Sequence, residues 1–447
     1  MSTLRNVIRT TELRNKILFT IFILVVYRFG VQIPAPGVSL DAIEELRNQA
    51  EDTEGGIFGY LNLFTGGGLA SLSLFSLGIL PYITASIIIQ ILTVAVPKLE
   101  EWQAQGAVGQ RKITQWTRYI AILLALVQST GIVFIVGRNP EAFFGVDVGL
   151  FPDSSAGRML LAITCMTVGT AVVMWMGELV TQKGIGNGMS MIIFASVVSG
   201  LPSLGIRIKT LSGWEWLVVA LFLLAVLAAG IVFVEQGQRR IPVNFAKRVV
   251  GRRQYGGNNS YIPLKVNQAG VIPVIFASSL LQLPSLLANV LPTSGNELVP
   301  NWGDNVRNFI SSNLFQPDNL GYILVFGTLI VGFSYFYNAI AFDPVRRADE
   351  LRKSGGFVPG IRPGPQTERY LAKTLNRITL PGAMFLAVVA LIPSAALARL
   401  LGSGGDGAAS LVGFSGVSIL IAVGVSLETM KQINSQLMAR NYDGFLK

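Results

Sequence analysis

The chain has 447 residues, of which 51% are hydrophobic and 13% charged, and its mean hydropathy is +0.54. Because so few charges cannot cover a soluble globule of this size, the composition predicts a polytopic membrane protein. The chain contains no histidine and one cysteine, Cys165, which excludes intrachain disulfides, Cys/His zinc sites and histidine-dependent catalysis.

Apolar segments that could cross a bilayer follow one another along the chain. Each is roughly 20 residues long, as a bilayer core requires, except for one shorter segment. The long segments start near Ile17, Leu74, Trp116, Met159, Trp214, Gln268, Leu320, Ile378 and Ala408, and the short one covers 187–201. We therefore expect an all-α polytopic membrane protein with about ten transmembrane helices. The second and fifth are short or interrupted, and the first five and last five could form two halves.

Lys and Arg gather in the loops on one side of these spans, and the N-terminus lies on the same side. The positive-inside rule then predicts that both termini are cytoplasmic. Arg207 and Lys209, in the expected loop after the fifth span, run against this rule. The basic start before the first apolar segment lacks a small-residue cleavage site, so we expect an uncleaved first helix.

The second apolar stretch, 59–96, is broken by three glycines at 66–68 and by Pro81. A lipid-facing segment cannot leave backbone amides and carbonyls unpaired, so this stretch should lie inside protein or line a cavity. A flexible external loop followed by one helix is an alternative of about equal weight for an arbitrary membrane protein.

Hydroxyl and amide side chains occur in three of the expected spans. They are Thr84, Ser86 and Gln90 in the second span, Gln128, Ser129 and Thr130 in the third, and Ser278, Ser279 and Gln282 in the seventh. Ordinary interhelical hydrogen bonds, worth about 0.6 kcal/mol each on average, explain such groups. A polar seam between helices that must part would look the same, so both interpretations stay open.

Ionisable residues are nearly absent from the middle of the spans. Glu178, Glu235 and Glu428 are expected at cytoplasmic ends, and Arg28 can reach the external interface by snorkelling. A small-solute secondary transporter coupled to protons or sodium would ordinarily place such groups near the midplane. This pattern disfavours the transporter, the main alternative function, and an intramembrane enzyme would lack its catalytic dyad or metal set.

Three connections carry further signals. The GIGNG sequence at 184–188 lacks the preceding strand and the lysine of a phosphate loop, so a tight helix-to-helix turn is favoured over nucleotide binding. The loops 236–266 and 343–377 are long, basic and expected on the cytoplasmic side. Their prolines, glycines and alternating patterns favour rigid protrusions for a large anionic or protein partner over simple topology signals.

Several long segments, in order along the whole chain, resemble the SecY family of bacterial protein-conducting channel subunits. The segments are FTGGGLASLSLFSLGILPYITASIIIQILT, GQRKITQWTRY, MWMGELVTQKGIGNGMSMIIFAS, FVEQGQRRIPVNFAKR, PLKVNQAGVIPVIFASS and RKSGGFVPGIRPGPQT. The resemblance implies a clam shell of two pseudo-symmetric five-helix halves, 1–205 and 206–447. A cytoplasmic and an external funnel would meet at an apolar constriction between them.

The resemblance also implies which residues form that constriction. Carried over by position, the pore ring consists of Ile79, Ile83, Met189, Ile193, Ile275 and Ile421. The first two pairs are each spaced i, i+4, which puts both members on one helix face. The family usually has a branched aliphatic residue at position 189, and the unbranched methionine should seal less rigidly.

Three further sites are implied by the resemblance. A plug near 64–75, a short helix that stops the external funnel, would include Phe64, Thr65, Gly66, Gly67, Gly68, Leu69, Ala70, Ser71 and Leu72. A lateral gate of the second, third and seventh helices would include Thr84, Ser86, Gln128, Ser278 and Ser279. The basic loops would bind the ribosome and the motor ATPase SecA through Arg239, Arg240, Lys247, Arg248, Arg252, Arg253 and Arg362.

The implied function is to pass unfolded secretory polypeptides across the prokaryotic plasma membrane and to release apolar segments sideways into lipid. A ring of large apolar side chains suits this task because it dewets when empty and yields around a peptide. We expect no enzymatic activity, metal or cofactor. The implied partners are SecE and SecG, SecA, the ribosome, signal sequences and nascent polypeptides, membrane lipids, and the auxiliary subunits SecD, SecF and YidC.

Overall fold

The computed structural model describes residues 10–43, 65–138, 156–245, 248–250, 253–255, 260–290, 303, 305–306, 309, 319–400 and 416–443. Twelve helices, numbered here in chain order, have bounds within these ranges. They are α1 (Thr11–Gln32), α2 (Leu80–Ala95), α3 (Pro97–Ala104), α4 (Ala107–Arg138), α5 (Ala156–Lys183), α6 (Gly188–Ser212), α7 (Trp214–Gln236), α8 (Ile272–Val290), α9 (Leu320–Ala341), α10 (Pro344–Lys353), α11 (Pro365–Leu400) and α12 (Gly416–Asp443).

The helical segments are consistent with the predicted series of ten spans. Among the described residues, seven helices are long and apolar enough to cross a membrane. The pair α2 and α3 passes the same test together although it is bent by 100°. Two shorter apolar stretches, Gly188–Pro202 in α6 and Ile272–Leu281 in α8, complete the series. The chain is a multi-pass membrane protein.

The second span begins later than its hydropathy predicts. Residues 74–79 form turns, and α2 starts at Leu80 with Pro81 in its first turn. A proline is tolerated there because its missing N–H would have no intrahelical partner. Pro81 therefore starts a helix instead of interrupting one.

The fifth span is longer than predicted. α6 continues through Pro202 to Ser212, so Arg207 and Lys209 lie in a helix and not in the expected loop. The predicted boundary between the halves, 205/206, falls inside this helix. The chain leaves it at Gly213, whose φ of +90° suits glycine.

At its far end α2 turns sharply into the short helix α3, which packs closely on the start of α4. A Cβ added to Gly109 of α4 would lie 1.7 Å from the carbonyl oxygen of Trp102. The Lys112 ammonium lies 5.7 Å from the centre of the Trp102 ring. The α2–α3 corner is therefore fastened to α4.

The helices pack around one large apolar core. In the first half α2 packs on α4, α4 on α5 and α5 on α6, and in the second half α8 packs on α9, α9 on α11 and α11 on α12. The two sets contact each other in at least two places. One is between α8 and both α2 and α4, and the other is between α6 and both α7 and α12.

The basic loops contain strands that the all-helical reading of the sequence did not include. They are β1 (Gln238–Phe245), β2 (Arg248–Val250), β3 (Arg253–Tyr255), β4 (Ser260–Lys265) and β5 (Gly356–Phe357). β1 pairs antiparallel with β4 and with β5, and β2 pairs antiparallel with β3. The loop 343–377 is therefore joined to the hairpin of the loop 236–266. It also contains α10 and the beginning of α11.

Candidate functional site

The isoleucines carried over as ring residues lie in one buried cluster. Ile79, Ile83, Ile193, Ile275 and Ile421 are between 0% and 6% exposed and belong to the same apolar core. They come from the start of α2 and from α6, α8 and α12, so both halves contribute. The Ile83 amide donates to the Ile79 carbonyl at 3.1 Å, which keeps this pair one helical turn apart.

Met189, the remaining ring candidate, is placed differently from the isoleucines. It is only partly buried and packs at the edge of the same core. A Cβ added to Gly177 of α5 would lie 2.4 Å from the Met189 sulfur, so this side chain fills the space that the glycine leaves. Its flexibility allows it to follow such an irregular surface.

The plug segment, residues 64–75, begins outside the described residues with Phe64. From Gly66 to Leu72 it forms turns and not the regular short helix that the resemblance implied. Three residues have positive φ values, namely Gly66 (67°), Gly67 (93°) and Leu72 (40°), and these are incompatible with a continuous right-handed helix. Leu69 and Leu72 are each 1% exposed, so the turns still bury apolar side chains in the common core.

The plug segment is bound through its backbone to the residues that follow α1. The Leu74 amide donates to the Ile33 carbonyl, and the Ala35 amide donates to the Leu72 carbonyl, both at 2.9 Å. These bonds flank an antiparallel bridge between Pro34 and Ser73. Backbone groups of the broken stretch are thus hydrogen-bonded to other parts of the protein, as its glycines predict.

Side chains of α1 and α6 hold the beginning of the plug segment. The Arg28 guanidinium donates to the Gly66 carbonyl. The Tyr27 hydroxyl lies 2.8 Å from the Ser196 hydroxyl and donates to the Thr65 carbonyl at 3.4 Å. Arg28 therefore points to the plug segment and not simply to the membrane interface. A lone cation within a span was the available signal for this role, whereas nothing local marked Tyr27 or Ser196.

Phe75, at the end of the plug segment, is enclosed by positions without side chains. Its ring is parallel to that of Tyr27 within 5°, with centroids 6.0 Å apart. A Cβ added to Gly30 would lie 2.0 Å from the Phe75 ring, and one added to Gly169 would lie 1.8 Å from the Leu74 carbonyl oxygen. The docked position therefore requires glycine at both sites.

The docked segment also contains unfavourable features. The hydroxyls of Ser73 and of Ser76, the residue directly after the segment, are fully buried and have no hydrogen-bond partner within the described part of the chain. Leu72 is in the left-handed region, which costs a non-glycine residue about 1 to 2 kcal/mol. Burial of Leu69, Leu72 and Phe75 offsets these costs.

The gate candidates lie on helices that touch, but their polar groups do not pair across the contact. The Thr84 hydroxyl donates to Leu80 at 3.1 Å and the Ser278 hydroxyl to Ile275 at 2.9 Å, both within their own helices. Ser86 accepts from Gln90 of the same helix at 3.3 Å. The Ser279 hydroxyl is buried without a partner among the described residues, and Gln128 is half-buried on α4.

Two acidic side chains near helix ends have polar partners. Glu178 of α5 forms a bidentate ion pair with Arg118 of α4, with both N–O distances at 2.6 Å. Glu235 of α7 accepts a hydrogen bond from the Asn267 amide nitrogen at 2.6 Å. The first pair joins α5 to α4, and the second joins α7 to the residues that precede α8.

The two basic loops form one structural unit. Their buried residues share an apolar cluster of Ile241, Leu264, Phe342, Val358, Leu371 and Leu375. Arg239 and Arg240 are exposed on β1, and the Arg240 guanidinium lies 4.8 Å from the centre of the Tyr261 ring. Arg362 is exposed in the other loop, where its carbonyl accepts from the Thr367 hydroxyl at 3.0 Å.

Two of the remaining docking candidates lie on the short strands β2 and β3. Arg248 and Arg253 lie on β2 and β3, whose register pairs Arg248 with Tyr255 and Val250 with Arg253. Lys247 and Arg252 lie outside the described residues. The sequence did not indicate that the two loops share a core, because the contacts join positions about 100 residues apart.

Comparisons with known proteins agree with this architecture. The family model described as SecY matches residues 73–430. The chain is 47% identical to "Protein translocase subunit SecY" of Mycobacterium bovis over 441 residues, covering 98% of each chain. It is also 47% identical to the Corynebacterium glutamicum protein of the same name over 448 residues, covering 100% of each.

Solved structures share the fold at lower identity. "The structure of a protein conducting channel" has a TM-score of 0.61 at 19% identity and covers 94% of this chain and 92% of that one. "Sec61 in the Canine ribosome-channel complex from the endoplasmic reticulum" has a TM-score of 0.57 at 18% identity, with the same coverage of both chains. Because the family model covers most of the chain and the relatives are 47% identical over nearly its whole length, the chain belongs to the SecY family.

Proposed function

We propose that this chain is the channel subunit of a protein translocase, passing unfolded polypeptides through the membrane and releasing apolar segments into lipid. The observation that carries the proposal is the shared core of the ring isoleucines and the plug segment, to which both halves contribute. The relatives at 47% identity bear the name of a translocase subunit. The transporter alternative gains no support from these comparisons.

In this proposal the six ring residues close the pore and the plug segment stops it on the outer side. Large apolar side chains exclude water and small ions while making no fixed polar contact with a passing peptide. The burial of Leu69 and Leu72 against the same core supports a closed arrangement.

The lateral gate would be the contact of α2 and α4 with α8. Thr84, Ser86, Gln128, Ser278 and Ser279 lie on these helices, and the contact between α8 and both partners supports the assignment. The two halves would be 1–212 and 214–447, divided at Gly213 because α6 continues to Ser212. An apolar segment of the substrate would leave for lipid between them, where its transfer is favourable.

The chain would act without enzymatic chemistry of its own, and its energy would come from partners. We propose that the end carrying the basic unit faces the cytoplasm of a prokaryotic plasma membrane, with both termini on that side. The exposed arginines there would bind the ribosome and SecA. SecE and SecG would be companion subunits, with SecD, SecF and YidC as auxiliary ones.

Reconstitution tests this function directly. The chain is placed in proteoliposomes with SecE, and SecA, ATP and a secretory precursor are added outside. We expect part of the precursor to become protected from added protease, and the protection to vanish when ATP is omitted. A precursor that stays fully accessible, with the chain correctly folded and SecA bound, would refute the proposal.

The ring assignment is tested by polar substitution. Ile83→Ser combined with Ile193→Ser should admit water to the constriction and raise resting ion conductance in planar bilayers several-fold. The matched control is Ile122→Ser with Ile392→Ser, because these side chains are 39% and 52% exposed on the outside of the bundle. Equal conductance of the ring and control variants would remove Ile83 and Ile193 from the seal.

A further inference from the structure

One of the proposed ring residues differs chemically from the rest. Five of the six are isoleucines, whose side chains are saturated hydrocarbons, and the sixth is Met189, whose side chain contains a thioether sulfur. Mild oxidants convert this sulfur into a sulfoxide, which is polar and accepts hydrogen bonds. The same oxidants leave a saturated side chain unchanged. The proposed seal therefore contains a single side chain that is readily oxidised.

Hydrogen bonds hold the backbone at Met189 in place. The residue directly follows the GIGNG turn, residues 184–188, which joins α5 to α6. The Gly186 amide donates to the Gln432 side-chain oxygen at 3.0 Å, and the Met189 amide donates to the Asn187 side-chain oxygen at 3.1 Å. Because the backbone is fixed on both sides of residue 188, a change in the Met189 side chain must be accommodated by the side chains around it.

The Met189 side chain occupies a close-fitting apolar site. A Cβ added to Gly177 of α5 would lie 2.4 Å from the Met189 sulfur and 3.2 Å from its terminal methyl carbon. The side chain also packs against a buried cluster of Ala85 from α2, Ala121 from α4 and Met174 from α5. None of these three side chains can donate a hydrogen bond. An oxygen atom added to the sulfur would therefore have no partner among them, which is unfavourable in an apolar site.

Met189 is also accessible to a small oxidant, because its side chain is partly exposed. Three methionines of α5 are between 1% and 7% exposed, namely Met166, Met174 and Met176. Met191, two residues further along α6, is partly exposed as well. Its sulfur accepts from the Thr429 hydroxyl at 3.5 Å, and it is not a ring position. Met189 thus combines access for an oxidant with a place in the proposed seal.

We infer that Met189 is an oxidation site, and that its conversion to the sulfoxide by a peroxide opens the resting seal to water and small ions. The sulfur lone pair forms a bond to one peroxide oxygen, the O–O bond breaks, and the other oxygen leaves as water with the proton of the first. The sulfur loses two electrons and the peroxide gains them. A polar group in the ring then binds water where the isoleucines exclude it. The inference rests on the proposed function, since it concerns the seal of that channel.

Conductance before and after oxidation tests the inference. The parent protein carries Cys165→Ser, so that no thiol of this chain reacts, and is placed with SecE in planar bilayers and treated with hydrogen peroxide. The readout is the resting ion conductance after treatment divided by that before it, so each variant is its own reference. We expect this ratio to rise several-fold as mass spectrometry detects the Met189 sulfoxide. Methionine sulfoxide reductases A and B, which together accept both sulfoxide epimers, should reverse the rise.

Substitutions identify the sulfur atom that is responsible. Met189→Leu removes it, and the conductance ratio should then stay near one. Met191→Leu is the matched control, because it removes the sulfur of a partly exposed methionine outside the ring, and it should retain the full response. Met189→Gln introduces a polar side chain of similar size without any oxidant. Before treatment it should conduct several-fold more than Met189→Leu, whereas Met191→Gln and Met191→Leu should conduct alike.

The outcomes separate this inference from the proposed function. If the untreated parent protein does not translocate precursor, the proposed function fails. If it does translocate, the inference is overturned when Met189 is oxidised without a rise in conductance. It is also overturned when Met430 and Met438, which are 54% and 62% exposed, are oxidised and Met189 is not. An oxidised Met189→Leu variant that leaks as strongly as the parent, or equal conductance of untreated Met189→Gln and Met189→Leu, overturns it too.

Discussion

Single residues act on the docked plug segment in opposite directions. Arg28 and Tyr27 supply polar contacts that favour docking, whereas the buried hydroxyls of Ser73 and Ser76 oppose it. The backbone of Leu72 adds strain in the same unfavourable direction. If the segment is the proposed stopper, this balance allows a modest free energy to release it. Some substitutions should therefore destabilise the docked position of the segment, and others should stabilise it.

Loss of the Arg28 contact should favour the undocked state. Arg28→Met removes the donor to the Gly66 carbonyl and should cost the docked state about 1 to 2 kcal/mol, which is ~5-fold to 30-fold in the docked-to-undocked ratio. Single-channel recording should show more frequent resting openings. Arg28→Lys retains a cationic donor and should lie between this variant and the wild type. Unchanged opening frequency in Arg28→Met would assign the arginine to membrane anchoring alone.

Loss of the Ser76 hydroxyl should have the opposite sign. Ser76→Ala removes a buried group without a partner and should stabilise the docked state by about 1 kcal/mol, or ~5-fold fewer resting openings. The comparison is Ser71→Ala, since the Ser71 hydroxyl does have acceptors, among them the Gly67 carbonyl at 3.3 Å. We expect that change to increase openings. The same sign for both serines would mean that hydroxyl pairing does not decide docking.

At the scale of elements, glycines within helices let the plug segment approach α1 and α5. Gly169→Ala would drive a methyl group against the Leu74 backbone, which cannot rotate away as a side chain could. The substitution raises the intrinsic helix propensity of α5 by about 1 kcal/mol, so the helix itself should persist. We expect higher resting conductance and better transport of precursors with defective signal sequences.

The control for this substitution is a glycine in another helix. Gly131 of α4 has no atom within 4 Å of an added Cβ, so Gly131→Ala offers the same gain in propensity without the clash. It should behave like the wild type in both assays. If Gly169→Ala also leaves conductance and signal selectivity unchanged, the plug segment does not need its close approach to α5 to seal.

The elements themselves were predictable from the sequence to different degrees. Span number follows from hydropathy, a local property, and the glycine run at 66–68 correctly predicted backbone enclosed by protein. Helix ends were less predictable. Pro81 was expected to break the second span and the fifth span was expected to end at residue 201, although Pro81 lies in the first turn of α2 and α6 continues through Pro202. Where a proline falls relative to a helix start decides its effect, and hydropathy does not give that position.

The candidate site depended on contacts between distant parts of the chain. The resemblance supplied the ring positions, and the structure brings five of them into one core. The sequence did not reveal that Ser196 would bind Tyr27 or that Gln432 would bind Gly186, because these partners are separated by 169 and 246 residues. Polar contacts of this kind depend on tertiary packing and leave no periodic signal.

At the scale of the whole molecule, the two basic loops form one folded unit, because they share an apolar cluster and a pair of strands. We predict that Val358→Asp, which buries a carboxylate in their shared core, will weaken the proposed binding of both the ribosome and SecA while every arginine is retained. Binding can be followed by co-sedimentation, and limited proteolysis should show increased cleavage within 343–377. The cost is expected to be several kcal/mol locally, because an unpaired charge is not tolerated in an apolar cluster.

The control for this prediction is the same substitution at an exposed valine. Val345, on α10 of the same loop, is 51% exposed, whereas Val358 is 2% exposed. Val345→Asp adds the same charge without burying it and should affect binding little at moderate salt. Equal weakening by both variants would mean that added negative charge, and not separation of the loops, reduces binding.

The sharp corner between α2 and α3 makes α2, a helix of the proposed gate, the base of a lever. The eight residues of α3 extend about 12 Å from the corner, so a 10° rotation of α2 about its own axis would sweep the far end of α3 through roughly 2 Å along the membrane surface. Trp102 travels with that arm, and its packing on Gly109 passes the movement to α4. A movement of α2 beside the proposed pore thus becomes a lateral movement of α3 at the membrane surface. There a soluble motor protein would be able to detect the movement or to cause it.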